Sequence, residues 1–259
     1  MSADDAALLA SLPVLVFQAS LLFCRLGAAV MLLPGLGESE VPAIIRLCLG
    51  LLLTLLLLPL LAPALPPPPE AIAEVLRCLA LELLAGLWLG GLARGLMLAL
   101  AQAGQVMGSM IGLTTPLQGD PGLGTQSTAL GRGFGFAATV LVLATGLYAL
   151  PLGALVNSYA VLPAGAPFPA GPAADAVASM VTESLSLALR LAAPFILAGV
   201  LFNAGMGLIA RVAPQVQVFV VAAPAQIIGG LGLLLLLLPA ILAMWQGAMV
   251  VAFQALPGG

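Results

Sequence analysis

From Val212 to Gly259 the chain carries no charged side chain. A stretch of that length without an ion cannot give a helix the charged outer face that a soluble fold requires. The run begins just after Arg211, the last charged residue. Before it, Gly199, Asn203, Gly207 and Arg211 recur every four residues, which on a helix makes one slowly drifting stripe of small and polar groups. After it, Pro214 lacks an amide hydrogen and disfavours helix at Ala213, so a turn is expected there. Gln215 and Gln217 follow, and Phe219 starts the next apolar run. The pattern predicts a helical hairpin: a long helix, a tight polar turn and a second long helix.

The rest of the chain is of the same kind. It is 62% hydrophobic and 7% charged, with a mean hydropathy of +1.22. A soluble protein of this length needs far more polar surface, so the composition predicts a membrane or membrane-assembled protein. There is no His and no Lys. Without imidazole there is no ordinary general base near neutral pH and no His-based metal site. No residue set offers covalent chemistry with a base, so no catalytic or metal residue is assigned and no cofactor is expected. Seven scattered arginines and a net charge of −3 make no basic patch for nucleic acid. Cys24, Cys48 and Cys78 lie far apart in apolar sequence and are expected to be buried small hydrophobes. At the N-terminus, Asp4 and Asp5 stand where a secretory signal would carry positive charge, so the start reads as mature.

In chain order, Leu8 to Leu33 is an apolar segment long enough to cross a bilayer. Pro34-Gly35 ends it, and Gly37-Glu38-Ser39-Glu40 makes a polar loop. A second segment runs from about Ala43 to Leu61, and Pro63 with Pro66 to Pro69 forms a stiff linker. A long helical stretch reaches from Glu70 to about Ile111, with Glu74 and Arg77 at a pairing distance of three. Within it Glu82, Gly86, Gly90 and Arg94 recur every four residues, as do Gly104, Gly108 and Gly112. Glycine is a poor helix former, so these files read as seams where backbones approach closely, unless they merely reflect glycine-rich composition. Gly131 to Val156 is expected as one helix and Asn157 to Pro172 as a Pro/Gly-rich connection. Ala173 to Ile209 and Phe219 to about Leu256 form the two arms of the C-terminal hairpin, with bends expected at Pro194, Pro224 and Pro239. The fold class is therefore all-α: about six long apolar helices in membrane-assembled hairpins, the longest either continuous or broken in two. The two terminal hairpins share a faint plan, Leu51–Pro59 and Leu233–Pro239 each following an Arg and a Pro-bounded turn; a repeat of this kind occurs in transporters.

Arg211-Val212-Ala213-Pro214-Gln215, followed by Val218-Phe219, resembles the signature turn of the FliR family of flagellar export-gate proteins, which has a counterpart in virulence type III secretion. Gln217 stands where that family often has asparagine, a swap that keeps an amide. Phe23-Cys24-Arg25-Leu26-Gly27-Ala28, Val41-Pro42 and Arg46 also look like FliR, and the likeness extends over nearly the whole chain. The resemblance implies one FliR-like domain over 1–259: an N-terminal hairpin (1–62), central helices (70–156) and a C-terminal hairpin (173–259). It implies FliP-like and FliQ-like partners and a FlhB-like protein, unfolded export cargo, and a place in the bacterial inner membrane at the flagellar basal body. It further implies that the loop at 112–131, with Leu113, Thr114, Thr115, Pro116, Leu117, Gln118, Gly119, Asp120, Pro121, Gly122 and Leu123, projects into the channel as a plug. A Gly-rich segment is easily displaced, which suits that role; the bland alternative is an ordinary connecting loop. Gly119 to Gly124 is no phosphate loop, since no Lys follows and no strand precedes.

Arg25, Glu82, Arg94, Glu183 and Arg190 fall within or close to apolar helices. One charge at the middle of a spanning helix costs about 2.5–3.5 kcal/mol on insertion scales. Such charges are tolerable where they pair or face water, so the helices either line an aqueous path or pack against protein partly outside the lipid. Glu183 and Arg190 share a helix face. Arg211 reads as a helix-end cation or as a contact with a partner, and Met97, Met107 and Met110 as ordinary packing or as a pliable seal. The residues and the resemblance together favour a flagellar export-gate subunit; its virulence counterpart, a self-sufficient secondary transporter and a membrane scaffold are the alternatives.

Overall fold

Each apolar run forms helix, with two of them broken. The computed structural model describes residues 3–38, 41–113, 128–212 and 218–259, and at 3–10 and 218–221 it describes the backbone alone. The helices are α1 (Ala3–Val30), α2 (Ala43–Leu61), α3 (Ile72–Met97), α4 (Ala99–Met110), α5 (Ala129–Ala144), α6 (Ala149–Val161), α7 (Ala170–Val212) and α8 (Val218–Gln254), with a 3-10 turn at Ala62–Ala64. There is no strand among the described residues. The fold is all-α. Among the described residues, five helices are long and apolar enough to cross a membrane, or up to six when a bent pair is taken as one span.

The differences from expectation lie at breaks. The stretch expected from Glu70 to Ile111 is α3 and α4, parted at Leu98. The helix expected from Gly131 to Val156 is α5 and α6, parted at a turn where Gly146 has a φ of +74°; that left-handed conformation is open to glycine and ends a helix. Asn157 to Val161, assigned to the following connection, are the last residues of α6. They contain no breaker, and the first proline comes at Pro163.

Contacts divide the chain into two compact units, Met1–Gly95 with Val142–Met180 and Val250–Gly259, and Leu96–Leu141 with Val181–Met249. The first is organised around α1, whose Leu21, Leu22, Leu26, Ala29 and Val30 are at most 1% exposed. The helix α2 meets α1 at a glycine pair, where a Cβ on Gly50 would lie 3.2 Å from the Gly27 Cα. On α3, a Cβ on Gly86 would overlap the Arg25 carbonyl oxygen, and one on Gly90 would come within 2.8 Å of the Ala29 carbonyl. Steps of four on α1 thus match steps of four on α3, so these helices run side by side in the same direction. Gln18 donates from Nε2 to the carbonyls of Ala62 (3.2 Å) and Leu65 (3.3 Å) and so anchors the start of the Pro-rich linker. Trp88 donates to the Ala173 carbonyl at 3.2 Å and meets Phe168 edge to face.

In the second unit α4 packs on α5. A Cβ on Gly104 would meet the Phe134 ring at 2.5 Å and the Leu130 carbonyl at 2.9 Å. Phe195 on α7 and Trp245 on α8 are fully buried. By contrast α2 turns Ile44, Leu52, Leu55, Leu56 and Leu60 outward, as a helix against lipid or another chain does.

The α1–α3 contact gives a matched pair of variants. Gly86→Ala is expected to destabilise the chain by about 1–3 kcal/mol, because backbone must shift to admit the methyl group. Gly91→Ala, on the same helix with nothing within 4 Å of its added Cβ, is expected to be neutral or stabilising by up to about 1 kcal/mol. Unfolding of the two variants in detergent measures the difference.

Candidate functional site

Among the described residues, the charged side chain most deeply buried is that of Arg25. It sits on α1 with 0% exposure, and every part of its guanidinium has a partner. Nε donates to Glu82 Oε2 at 2.8 Å and Nη2 to Oε1 at 2.9 Å, a bidentate pair. Nη1 donates to Ser158 Oγ at 3.1 Å and Nη2 also to the Leu162 carbonyl at 3.0 Å. The Tyr159 ring covers the group, with its centroid 3.9 Å from Cζ. Glu82 in turn accepts from the Gly165 amide at 3.1 Å, and Gly165 takes a φ of +75° that favours glycine. One node thus ties together α1, α3, α6 and the turn after α6. A bidentate arginine–carboxylate pair with further hydrogen bonds to both partners is the arrangement in which buried charge is sustainable.

The file that begins at Glu82 continues along the same face of α3. Gly86 and Gly90 lie against the α1 backbone, as described above. Arg94 donates to the Gly37 carbonyl at 3.1 Å and to Glu38 Oε2 at 3.3 Å, in the turn after α1. All four residues of the file therefore face α1 or its exit.

The second assembly of candidate residues is the root of the central loop. At the end of α4 the Leu113 amide donates to the Gly108 carbonyl at 2.9 Å and the Gly112 amide to Ser109 at 3.4 Å. With Gly112 at a φ of +80°, this is a Schellman cap. The four-residue spacing puts Gly112 in a seam with Gly104 and Gly108, but in the structure it stands beyond the helix and ends it. On the far side Thr128 caps α5: its Oγ1 accepts from the Gly131 amide at 3.0 Å. The Thr128 amide donates to Gln105 Oε1 at 2.6 Å. A Cβ on Gly108 would lie 2.7 Å from Thr128 Oγ1. Entry and exit of the loop are thus pinned to neighbouring points on α4 and α5. Leu113 is half-buried at the entry; Thr114, Thr115, Pro116, Leu117, Gln118, Gly119, Asp120, Pro121, Gly122 and Leu123 lie outside the described residues. Gln105 and Thr128 were not singled out in the sequence, although a threonine just before an apolar helical run is a capping signal.

In the C-terminal hairpin, Gly199 touches Met110, and Asn203 Nδ2 donates to the Gly199 carbonyl one turn back at 2.8 Å. Gly207 has open space around it, and Arg211 is exposed in the last turn of α7. Pro214 and Gln215 lie outside the described residues, and Phe219 is described by its backbone alone, in the first turn of α8. Glu183 and Arg190 are both exposed on α7. Of the methionines, Met97 and Met107 are buried and Met110 is half-buried. Of the cysteines, Cys78 is buried and Cys24 half-buried, but Cys48 is exposed; it lies on the outward side of α2, where burial was expected.

Residues 16–251 match the family of bacterial export proteins, family 1. The chain is 36% identical over 230 residues to the flagellar biosynthetic protein FliR of Caulobacter vibrioides, covering 89% of this chain and 92% of that protein. It is 28% identical over 226 residues to FliR of Escherichia coli, covering 84% and 82%. With the Yop proteins translocation protein T of Yersinia pestis it shares 30% identity over 208 residues, 79% of each chain.

The buried node predicts a double-mutant pattern. Arg25→Met alone is expected to cost about 3–5 kcal/mol, because Glu82 keeps its burial and loses its counter-ion. Adding Glu82→Leu should recover much of that loss, since two apolar groups remove the stranded charge. Unfolding midpoints of both single variants and the double variant measure the coupling.

Proposed function

This chain belongs to the bacterial export proteins, family 1, and on that footing we propose that it is a membrane subunit of the flagellar type III protein export gate. Similarity to FliR along most of both chains carries the reading. In this role it joins FliP-like and FliQ-like subunits, and meets a FlhB-like protein, to form the passage for unfolded flagellar proteins across the inner membrane at the basal body. The chain contributes walls and a closure, while chemistry and energy coupling reside elsewhere. Two physical features suit such a subunit. Helices with glycine contact faces pack closely without a large hydrophobic gain, as assembly within a membrane requires. The central loop, hung from fixed points at Gly112 and Thr128, can yield to a passing polypeptide without disturbing the helices that bear it. We assign it as the plug of the resting channel.

The virulence counterpart stands behind the flagellar reading, because identity to the Yop translocation protein is lower than to the Caulobacter FliR over less of the chain.

Co-expression of the tagged chain with and without the FliP-like and FliQ-like proteins of its own organism tests the assembly. A large complex of fixed composition in native mass measurement is expected; a well-behaved lone protein that ignores both partners overturns it in favour of a solitary transporter. In cells making the assembled gate, removal of 117–123 is expected to raise resting ion leakage, and unchanged leakage removes the plug assignment.

A further inference from the structure

The last turn of α4 is where the central loop begins, and its hydrogen bonds can be followed one by one. A helix end leaves four carbonyls without an intrahelical donor. Here Met107 accepts from the Ile111 amide at 3.0 Å, Gly108 from Leu113 at 2.9 Å and Ser109 from Gly112 at 3.4 Å. The fourth, Met110, accepts from a different helix: Gln226 of α8 donates from Nε2 at 2.7 Å. The same turn is held by bare backbone on two sides. A Cβ on Gly199 of α7 would lie 3.1 Å from the Met110 carbonyl oxygen, and one on Gly230 of α8 would overlap the Ile111 side chain. Beside this grip lies a mostly apolar cleft of about 250 Å³, lined among others by Met110, Ile111, Phe195 and Gln226. The turn is therefore held firmly by few contacts, with room to move next to them.

The two ends of the loop differ in how they are held. Thr128 is fixed to α4 itself, through Gln105 and Gly104. The entry at Gly112–Leu113 is fixed to the arms of the C-terminal hairpin, and Gln226 makes the one hydrogen bond from those arms to the last turn of α4 among the described contacts. We infer that Gln226 is the latch of the central loop: its hydrogen bond to the Met110 carbonyl sets the resting position of the loop entry and ties it to the α7–α8 hairpin. A single bond between neutral groups breaks and re-forms readily, which suits a segment that must yield and return. A shift of α8 relative to α4 breaks it, so a change at the hairpin is passed to the loop. As a control of leakage, the latch rests on the plug assignment; as an anchor of α4 it does not.

The test uses the full chain assembled with its FliP-like and FliQ-like partners. Gln226→Leu keeps the size and removes the donor; Gln226→Asn keeps the amide and falls short of Met110, and serves if the leucine variant fails to assemble. Gln226→Lys keeps a donor of sufficient reach. Amide hydrogen exchange at Ile111 to Leu113 in the purified assembly is expected to rise roughly two- to tenfold in the first two variants, the range one neutral hydrogen bond allows. The lysine variant should restore it. Unchanged exchange in the leucine and asparagine variants overturns the latch. Resting ion leakage in cells is expected to rise in these variants to a level below that of the 117–123 deletion. If the deletion leaks and the latch variants exchange faster without leaking, control of leakage by Gln226 is overturned and the plug stands. If the deletion itself does not leak, the plug falls, and faster exchange still supports Gln226 as the anchor of α4.

Discussion

An ionised arginine in apolar surroundings must find a counter-ion and enough acceptors, and Arg25 on α1 has no access to solvent to help it. The partners it finds, Glu82, Ser158 and the Leu162 carbonyl, come from three further segments of chain. That requirement fixes more than one contact. With Glu82 held opposite Arg25, the next turns of α3 place Gly86 at the Arg25 carbonyl and Gly90 at the Ala29 carbonyl. One register error along α3 would bring a bulky leucine to the α1 backbone and leave a buried carboxylate unpaired. The ion pair selects the register, and the glycines make it sterically possible. Its net contribution to stability is a different matter, since desolvation offsets much of the attraction.

Small residues recur at several helix contacts in both units. Gly27 meets Gly50, Gly104 and Gly108 meet α5, and Gly199 and Gly230 meet the end of α4. In a water-soluble bundle, large apolar side chains would drive such contacts. In a chain whose α2 exposes leucine after leucine, apolar burial discriminates poorly between the correct partner and lipid. Close backbone approach, with its dispersion contacts, supplies the discrimination instead. Other glycines, such as Gly133, Gly153 and Gly207, meet nothing within 4 Å. Periodicity alone therefore overstates the seams: the α3 file is a contact face throughout, whereas in the α4 file Gly112 caps the helix.

The helices were legible because apolar length and proline position carry local information. The second helix runs over the expected Ala43–Leu61, bounded by Pro42 before it and the Pro-rich linker after it. The break at Gly146 is not legible in the sequence because a glycine in an apolar run is also compatible with a helix; only its positive φ distinguishes it. That Arg25 and Glu82 needed partners was readable from their apolar flanks. That they are each other's partner was not, because nothing local links residues 57 apart. Gln226 gives no signal at all, since one glutamine two residues after a proline looks like any polar residue, and its role depends on where α4 ends.

The longest helix sets a limit that the apolar composition conceals. Ala170–Val212 is 43 residues, about 64 Å at about 1.5 Å per residue, against a hydrocarbon layer of about 30 Å. Even a tilt of about 40° lengthens the path through that layer to only some 40 Å. A large part of α7 must therefore lie outside hydrocarbon. The exposed charges indicate which part. Between Arg190 and Arg211 the helix carries no charge and is about 30 Å long by the same rise, with an arginine at either end able to reach the interface. The preceding stretch exposes Asp175, Glu183 and Arg190, which hydrocarbon would penalise. It also exposes Val177, Val181, Leu185 and Leu189 at four-residue spacing, a single apolar stripe on a helix. Outside the lipid such a stripe is left in water by a solitary chain. A subunit enclosed by neighbours covers it, so this half of α7 is a physical reason to read the chain as one piece of an assembly.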